Sequence, residues 1–361
     1  KYQSELYALY GDLMAREECV VWLRELTDAA FLSYQPETLE KKLAEDLYGK
    51  IMECSISSLE RFAACHYAHF LSYGLGLAPR EEYGFENMDM GNVMHDILQS
   101  FGRMLEENGL EWTKVDEEVI EKFAEEATKE ISGTYSGAIL QDSAKNRYFV
   151  MQLKRIMLRT IKTLQQQLRH GTFKPYAFEK EFRRIYDVDY DGHREGQLLL
   201  KGRIDRIDTC LQGEEVFVKV VDYKSGSRKF DMNTLYYGIA LQLAVYLGQA
   251  VKNLQSVYPD KKIVPAAMLY YRAADPILNT DKVLTIEETE TEILKELNNT
   301  GAVSARAGIV NALDEEFTKK SLVVPVSKKG GEILLSDSVF DPVVLNQMLD
   351  FAQDKVMELA N

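Results

Sequence analysis

Apolar residues recur at helical spacing over residues 5–32 and 37–48, with Pro36 between them, and this predicts two helices. A turn at Tyr48-Gly49-Lys50 leads into Ser55-Ile56-Ser57-Ser58-Leu59-Glu60. A serine three residues ahead of a glutamate reads as a capping box there, with Ser57 and Glu60 the best fit. The helix it starts runs through Cys65 towards Tyr73 and stops at Gly74 or Gly76. Asp89 caps the next predicted helix, Met90 to Met104, whose core face is Met90, Met94, Ile97 and Phe101. Helices follow at about 115–132 and 142–169, the second ended by His170-Gly171, a cationic residue and a C-terminal glycine.

The period then changes. Residues 177–190, 197–209 and 215–224 alternate or run apolar in short bursts, separated by Asp191-Gly192 and Gln212-Gly213, and read as three strands in a meander. Residues 233–254 return to a helix, and 263–271 read as a buried strand. A mostly helical stretch over 284–319, a hairpin over 321–336 broken at Gly330-Gly331, and a closing helix over 339–359 complete the chain. Helices followed by a small sheet with interleaved helices predict an α/β core with a helical N-terminal extension. No internal repeat or low-complexity tract interrupts this order.

Composition narrows the class without changing the fold. In 361 residues, 46% hydrophobic and 28% charged is an ordinary globular balance. The net charge of −14 counts against a chain that grips nucleic acid by itself, because phosphate neutralisation supplies most such affinity. It leaves room for a small site acting on DNA that a partner delivers. The four cysteines, Cys19, Cys54, Cys65 and Cys210, form no CxxC pair, which points to a reducing compartment. No apolar run of membrane-spanning length and no leader-like N-terminus is seen, so neither a membrane span nor a signal peptide is expected. A chain that opens on Lys1 reads as a piece of something longer.

The strongest chemical signal is Gly202-Arg203-Ile204-Asp205-Arg206-Ile207-Asp208, followed 14 residues on by Asp222-Tyr223-Lys224-Ser225. A hairpin centred on Gln212-Gly213 sets Asp205 opposite Val220 and diagonal to Asp222, roughly 7–8 Å away, where two carboxylates can share one metal ion. Asp222 and Lys224 are two apart and share a strand face. They close an apolar strand, where a charge is costly unless it is paired or metal-bound; mutual neutralisation is the plain alternative. Phosphodiester hydrolysis needs an activated water and an offset for extra negative charge on phosphorus. Oxygen ligands holding Mg²⁺ or Mn²⁺ supply both, and a lysine beside them orients the water or offsets the charge. Glu181, in Phe178-Glu179-Lys180-Glu181-Phe182, is a candidate further ligand or water-binding group; Glu179 shares its face and competes for that role. His95 lies at the edge of its helix's apolar face, with Gly91 one turn earlier, but a lone helical histidine is more often structural. Gln242 and Tyr246 share a helical face and, alone, read as core tyrosine and polar neighbour.

Taken in order, Gly91 with His95, Glu181, Gly202 with Asp205, Asp222 with Lys224, and Gln242 with Tyr246 resemble the RecB-like branch of the PD-(D/E)xK nucleases over about 155 residues. The resemblance implies a restriction-endonuclease-like core, a small mixed sheet flanked by helices. It also implies His95, Asp205 and Asp222 as metal ligands, Glu181 as their support, Lys224 as water-activating, and Tyr223, Gln242 and Tyr246 as DNA-positioning. The segments Leu47–Lys50, Ser55–Cys65 and His69–Leu75 are similar to the C-terminal region of the AddB family, which narrows the likeness further. Residues 1–53 then end a helicase-like region, and 54–361 form the nuclease domain. That family implies a cytoplasmic complex with an AddA-like helicase-nuclease subunit, which processes double-strand breaks in DNA for recombination and cuts the 5′-ended strand here. It also implies a [4Fe–4S] cluster with one ligand at Cys65 and three in a later CxxC-x5-C segment, which this chain lacks; truncation before that segment is the expectation. A non-catalytic scaffold of the same fold is the main alternative, opposed by the retained Asp and Lys. A stand-alone RecB-like exonuclease is another, opposed by the N-terminal helices and the match around Cys65. No GxxxxGK[ST] loop is present, so ATP use is not assigned to this chain.

Overall fold

From Val216 to Tyr223 every residue is buried, and only a strand covered on both faces buries so long a run. This strand, β4 (Glu215–Lys224), lies inside the sheet of a computed structural model. The structure describes residues 2–31, 40–49, 51–78, 87–135, 143–189, 195–226 and 228–360. Pro36 and Asp191-Gly192, expected to act as breaks, lie outside the described residues.

The chain forms two compact units, residues 1–49 and 50–361. The first contains α1 (Tyr2–Met14), α2 (Glu17–Ala30) and α3 (Lys41–Tyr48). The helix expected over 5–32 is thus two helices, broken where Arg16 takes an extended conformation.

In the second unit, β1 (Ile51–Ser55) precedes α4 (Ile56–Ala64), so residues 51–53 belong to this unit and not to the leading segment. The cap of α4 is Ser55 with Ser58, not Ser57 with Glu60: the chain leaves β1 at Ser55, and the two hydroxyls answer each other's backbone N–H groups. The helix expected to reach Tyr73 stops at Ala64. Cys65 is extended, and α5 (His66–His69) and a π-helical turn, Phe70–Gly74, follow. Three long helices come next, α6 (Asn87–Glu107), α7 (Glu117–Thr134) and α8 (Ala144–Arg169), α6 starting two residues before the expected cap at Asp89.

The strands β2 (Lys174–Asp189) and β3 (Glu195–Gln212) pair antiparallel, as do β3 and β4, giving the expected meander. The helix expected over 233–254 divides into α9 (Met232–Tyr236) and α10 (Gln242–Val257), with Gly238 at φ 75° in the break. A parallel strand, β5 (Lys262–Arg272), joins β4. The stretch 284–319 is not mostly helical: β6 (Thr300–Ser304) lies between α11 (Ile286–Glu296) and α12 (Ala307–Leu313). Thr-Gly-Ala-Val-Ser carries too little apolar bulk to signal a strand, and a side chain at Gly301 would meet the Met268 carbonyl 2.1 Å away. A small hairpin, β7 (Lys328–Lys329) with β8 (Glu332–Ile333), turns at Gly330-Gly331 as expected. The chain closes with β9 (Val339–Phe340) and α13 (Pro342–Ala360).

The sheet is mixed and has helices on both faces. On one face α6, α7, α8 and α12 pack Ile97, Phe101, Ile161 and Ile309 with Phe217, Val221 and Tyr223. On the other, α4, α10 and α13 pack Leu59, Leu247 and Leu345 with Val216, Val218 and Val220. One detail positions the site. Since β2 pairs along one whole edge of β3, the opposite edge is shared: β1 pairs with residues 197–201 and β4 with 206–212. Gly202 to Asp205 therefore lie where the sheet forks.

Candidate active site

At this fork the alternation of β3 slips. Leu198, Leu200 and Ile204 face the α10 layer, but so does Ile207, an odd-numbered residue. Asp205 and Arg206 consequently both turn towards the α6–α8 layer, where Asp205 meets His95 and Arg206 lies over Trp112. The partner strand slips beside it. Phe178 packs with the α6–α8 layer and Phe182 with the α10 layer, though four residues apart in a strand they should share a face. Between them Glu179 has φ 49°, a left-handed conformation costly for any residue with a Cβ.

The slip separates the two glutamates. Glu179 is buried, shares a hydrogen bond with His95 Nδ1 at 3.1 Å, and pairs with Arg203 Nε at 2.8 Å. Glu181 is exposed and outside the cluster: the structure places Glu179, and not the expected Glu181, beside His95. His95 Nδ1 is also 3.4 Å from Asp205 Oδ2. His95, Glu179 and Asp205 offer ligand atoms all within 4.8 Å of one another.

Register brings in the second aspartate. The turn is Gly213-Glu214, one residue later than expected, with Gln212 opposite Glu215 and Arg206 opposite Val221. Val220 is therefore opposite Ile207 and not Asp205, which lies just past the last β3–β4 pair. Asp205 Oδ2 accepts the Tyr223 N–H at 2.8 Å. Asp222 and Lys224 are in phase with Val216, Val218 and Val220 and share a face, with Lys224 Nζ 2.5 Å from Asp222 Oδ2. Lys224 also donates to Gln242 Oε1 at 3.2 Å, and Gln242 Nε2 donates to the Tyr246 hydroxyl at 3.2 Å. Gln242 and Tyr246 thus belong to one hydrogen-bonded chain ending on the lysine. Tyr223 points the other way. It is buried edge-on to His95 and Tyr271, because strand alternation sends this expected DNA-positioning side chain into the core and away from the face of Lys224.

Three supporting residues carry little sequence signal. Glu60 Oε1 accepts the N–H groups of Leu241 and Gln242, capping α10 from another helix and holding Gln242 in place. Arg203 neutralises Glu179 from outside. Arg206, next in the chain to Asp205, makes a bidentate pair with Asp208, which Lys219 joins at 3.2 Å, in a buried ion cluster. Gly202 has a packing reason as well: a side chain there would lie 2.5 Å from the Phe182 ring.

The electrostatics are those of crowded, dehydrated carboxylates. Burial, and then the neighbouring Asp222 charge, push the Asp205 pKa up to about 8, against the pull of His95. Burial raises Asp222 too, partly offset by Lys224, His95 and Arg228. For His95, burial disfavours the charged form, but the Glu179 hydrogen bond and the Asp205, Glu179 and Asp222 charges outweigh it and raise the pKa. Asp222 is almost wholly buried; its Oδ2 has the Lys224 ammonium 2.5 Å away, and among the described residues its Oδ1 has no hydrogen-bond partner. Buried carboxylates that repel one another are stabilised by a cation. The donor set, carboxylate oxygens with one imidazole, suits a hard divalent ion.

Residues 53–320 match the family model described as the PD-(D/E)XK nuclease superfamily. The chain is similar to an ATP-dependent helicase/deoxyribonuclease subunit of Lachnoclostridium phytofermentans, 35% identical over 98% of this chain and 30% of that protein. The protein of the same name from Clostridium acetobutylicum is 31% identical over 83% of this chain and 26% of its own length. That from Lysinibacillus sphaericus is 32% identical over 91% of this chain and 29% of its own length. The chain therefore spans about 30% of the length of the curated relatives it matches. With its mixed sheet flanked by helices and its matching stretch of residues, the chain belongs to the PD-(D/E)XK nuclease superfamily.

Proposed function

We propose that this chain is the nuclease module of a helicase–nuclease and hydrolyses DNA phosphodiesters with Mg²⁺ or Mn²⁺. The observation that carries the reading is the convergence of His95, Glu179 and Asp205 at the fork of the sheet, with the buried Asp222 charge near enough to act on Asp205 and Lys224 paired to Asp222. His95, Glu179, Asp205 and Asp222 hold the metal. When bound, the ion supplies a water of lowered pKa and positive charge for the phosphate. Lys224, steadied by Asp222 and Gln242, keeps an N–H donor and a charge directed at the reacting phosphate. Tyr246 and Gln242 fix the lysine and line the approach of the DNA backbone.

The relatives' names support a helicase/deoxyribonuclease subunit; the partner, strand and process proposed with it come from the resemblance of the sequence to the AddB family. The partner is an AddA-like helicase-nuclease subunit, the substrate the 5′-ended strand at a double-strand break, and the process recombinational repair. A net charge of −14 suits a module to which the partner feeds DNA. The cytoplasmic setting comes from the AddB-family resemblance alone. Among the described residues no helix is long and apolar enough to cross a membrane. Within the second unit, Cys54 and Cys210 are buried in opposite layers and Cys65 is exposed at the α4–α5 break. We assign Cys65 as one [4Fe–4S] ligand, on the resemblance of the sequence to the AddB family.

End-labelled single-stranded DNA incubated with the chain and Mg²⁺ or Mn²⁺ will shorten, and a chelator will stop it. Absence of both cleavage and metal binding would favour a non-catalytic scaffold. The two glutamates give a sharper test. Glu179→Gln will weaken Mn²⁺ binding by calorimetry about 10-fold or more, whereas Glu181→Gln will stay within about twofold, as surface substitutions do. The reverse ranking would return the role to Glu181.

A further inference from the structure

Two of the arginines around the site are committed to carboxylates, Arg203 to Glu179 and Arg206 to Asp208. Arg228 is not. It is exposed, and among the described residues no carboxylate oxygen lies within ion-pair distance of it, in a chain carrying 57 acidic residues. Its placement is nevertheless defined. Its carbonyl accepts the Thr300 hydroxyl at 2.9 Å, and its guanidinium lies over the Tyr270 ring, 5.4 Å from the centroid. The same ring lies 5.9 Å from Lys224 Nζ. Asp222, Tyr270 and Thr300 form one row across β4, β5 and β6. The ring beneath Arg228 is thus one strand from Asp222, about 5 Å in the hydrogen-bonding direction. The arginine's charge is one of those that act on Asp222 and on Glu60.

We infer that Arg228 is a DNA-positioning residue, whose guanidinium takes the nonbridging oxygens of a backbone phosphate on the strand that Lys224 acts upon. The inference rests on the nuclease reading above. A planar guanidinium matches two phosphate oxygens at once, and stacking on a tyrosine keeps its fork oriented without using its N–H donors. A positive group is not a metal ligand, and this one carries no carboxylate to displace before DNA can bind. The row Asp222–Tyr270–Thr300 makes its distance from the reacting centre a property of the sheet.

The test compares the parent chain with Arg228→Ala and Arg228→Lys on single-stranded DNA. Arg228→Ala will raise KM about 10-fold or more, leave kcat within about threefold, and lower the slope of log affinity against log salt by about 0.7. Arg228→Lys will restore the salt slope but only part of the affinity, since the ammonium cannot fork. A single methylphosphonate moved along the strand will weaken the parent at one linkage, and Arg228→Ala will no longer sense that linkage. Melting temperatures equal to the parent's will show that the fold is kept. A parent that cuts DNA while Arg228→Ala keeps its KM and salt slope, or loses kcat alone, overturns the inference and leaves the nuclease reading standing. A parent that neither binds nor cuts overturns both.

Discussion

Asp222→Asn will lower DNA cleavage by about 10³-fold or more and abolish Mn²⁺ binding in calorimetry, and at pH 8 without metal it will melt higher than the parent. The first effect follows from removing a charged donor from a site built of few. The second follows from the sign of the pKa shifts. Asp205 and Asp222 both titrate above ordinary carboxylates, Asp205 near 8, because burial and mutual repulsion penalise their ionised forms. A raised folded-state pKa contributes stability that is present below the unfolded value and lost as pH rises through the folded one. The metal-free parent therefore loses stability between about pH 4 and pH 8, a window set by the shift of Asp205 from 3.8 to about 8. The asparagine removes one of the two charges and relieves the other, worth about 2–4 °C in melting temperature for each kcal/mol recovered. At pH 5 the difference should shrink. Melting below the parent at pH 8, or surviving metal-dependent cleavage, would mean that Asp222 is neutralised by Lys224 alone and holds no ion.

Lys224→Ala will lower cleavage by about 10²-fold or more while metal binding persists. The ammonium lies 2.5 Å from Asp222 Oδ2 and 3.2 Å from Gln242 Oε1, so it is held for use, but it cannot ligate a cation. Cleavage and metal affinity should therefore separate in this variant, whereas Asp222→Asn loses both together. Parallel titrations and single-turnover rates on the same DNA distinguish the two patterns. A lysine variant that cuts within about 10-fold of the parent would remove Lys224 from the chemistry and reduce it to the counter-ion of Asp222.

Sequence alone determined a good deal. The apolar run of β4, the period-two bursts before it and the amphipathic helices on either side are local patterns, and they specify a meander between helical layers. The pairing of Asp222 with Lys224 is local too, because residues two apart in a strand share a face. The helical step from Gln242 to Tyr246 follows from the same kind of rule. What no local pattern holds is the slip of alternation at Glu179 and Asp205. Glu179 and Glu181 have the same parity, and only a residue forced to φ 49° where the sheet forks decides which one is buried. Glu60 looks like the cap of its own helix, yet it caps α10 some 181 residues later. Arg228 reads as one more surface cation until Tyr270 and Thr300 hold it one strand from Asp222. Residues that act through their neighbours along the chain can be read in order. Those that act through strand register, a shared sheet edge or a distant helix end acquire their roles when long-range pairing brings the neighbours together.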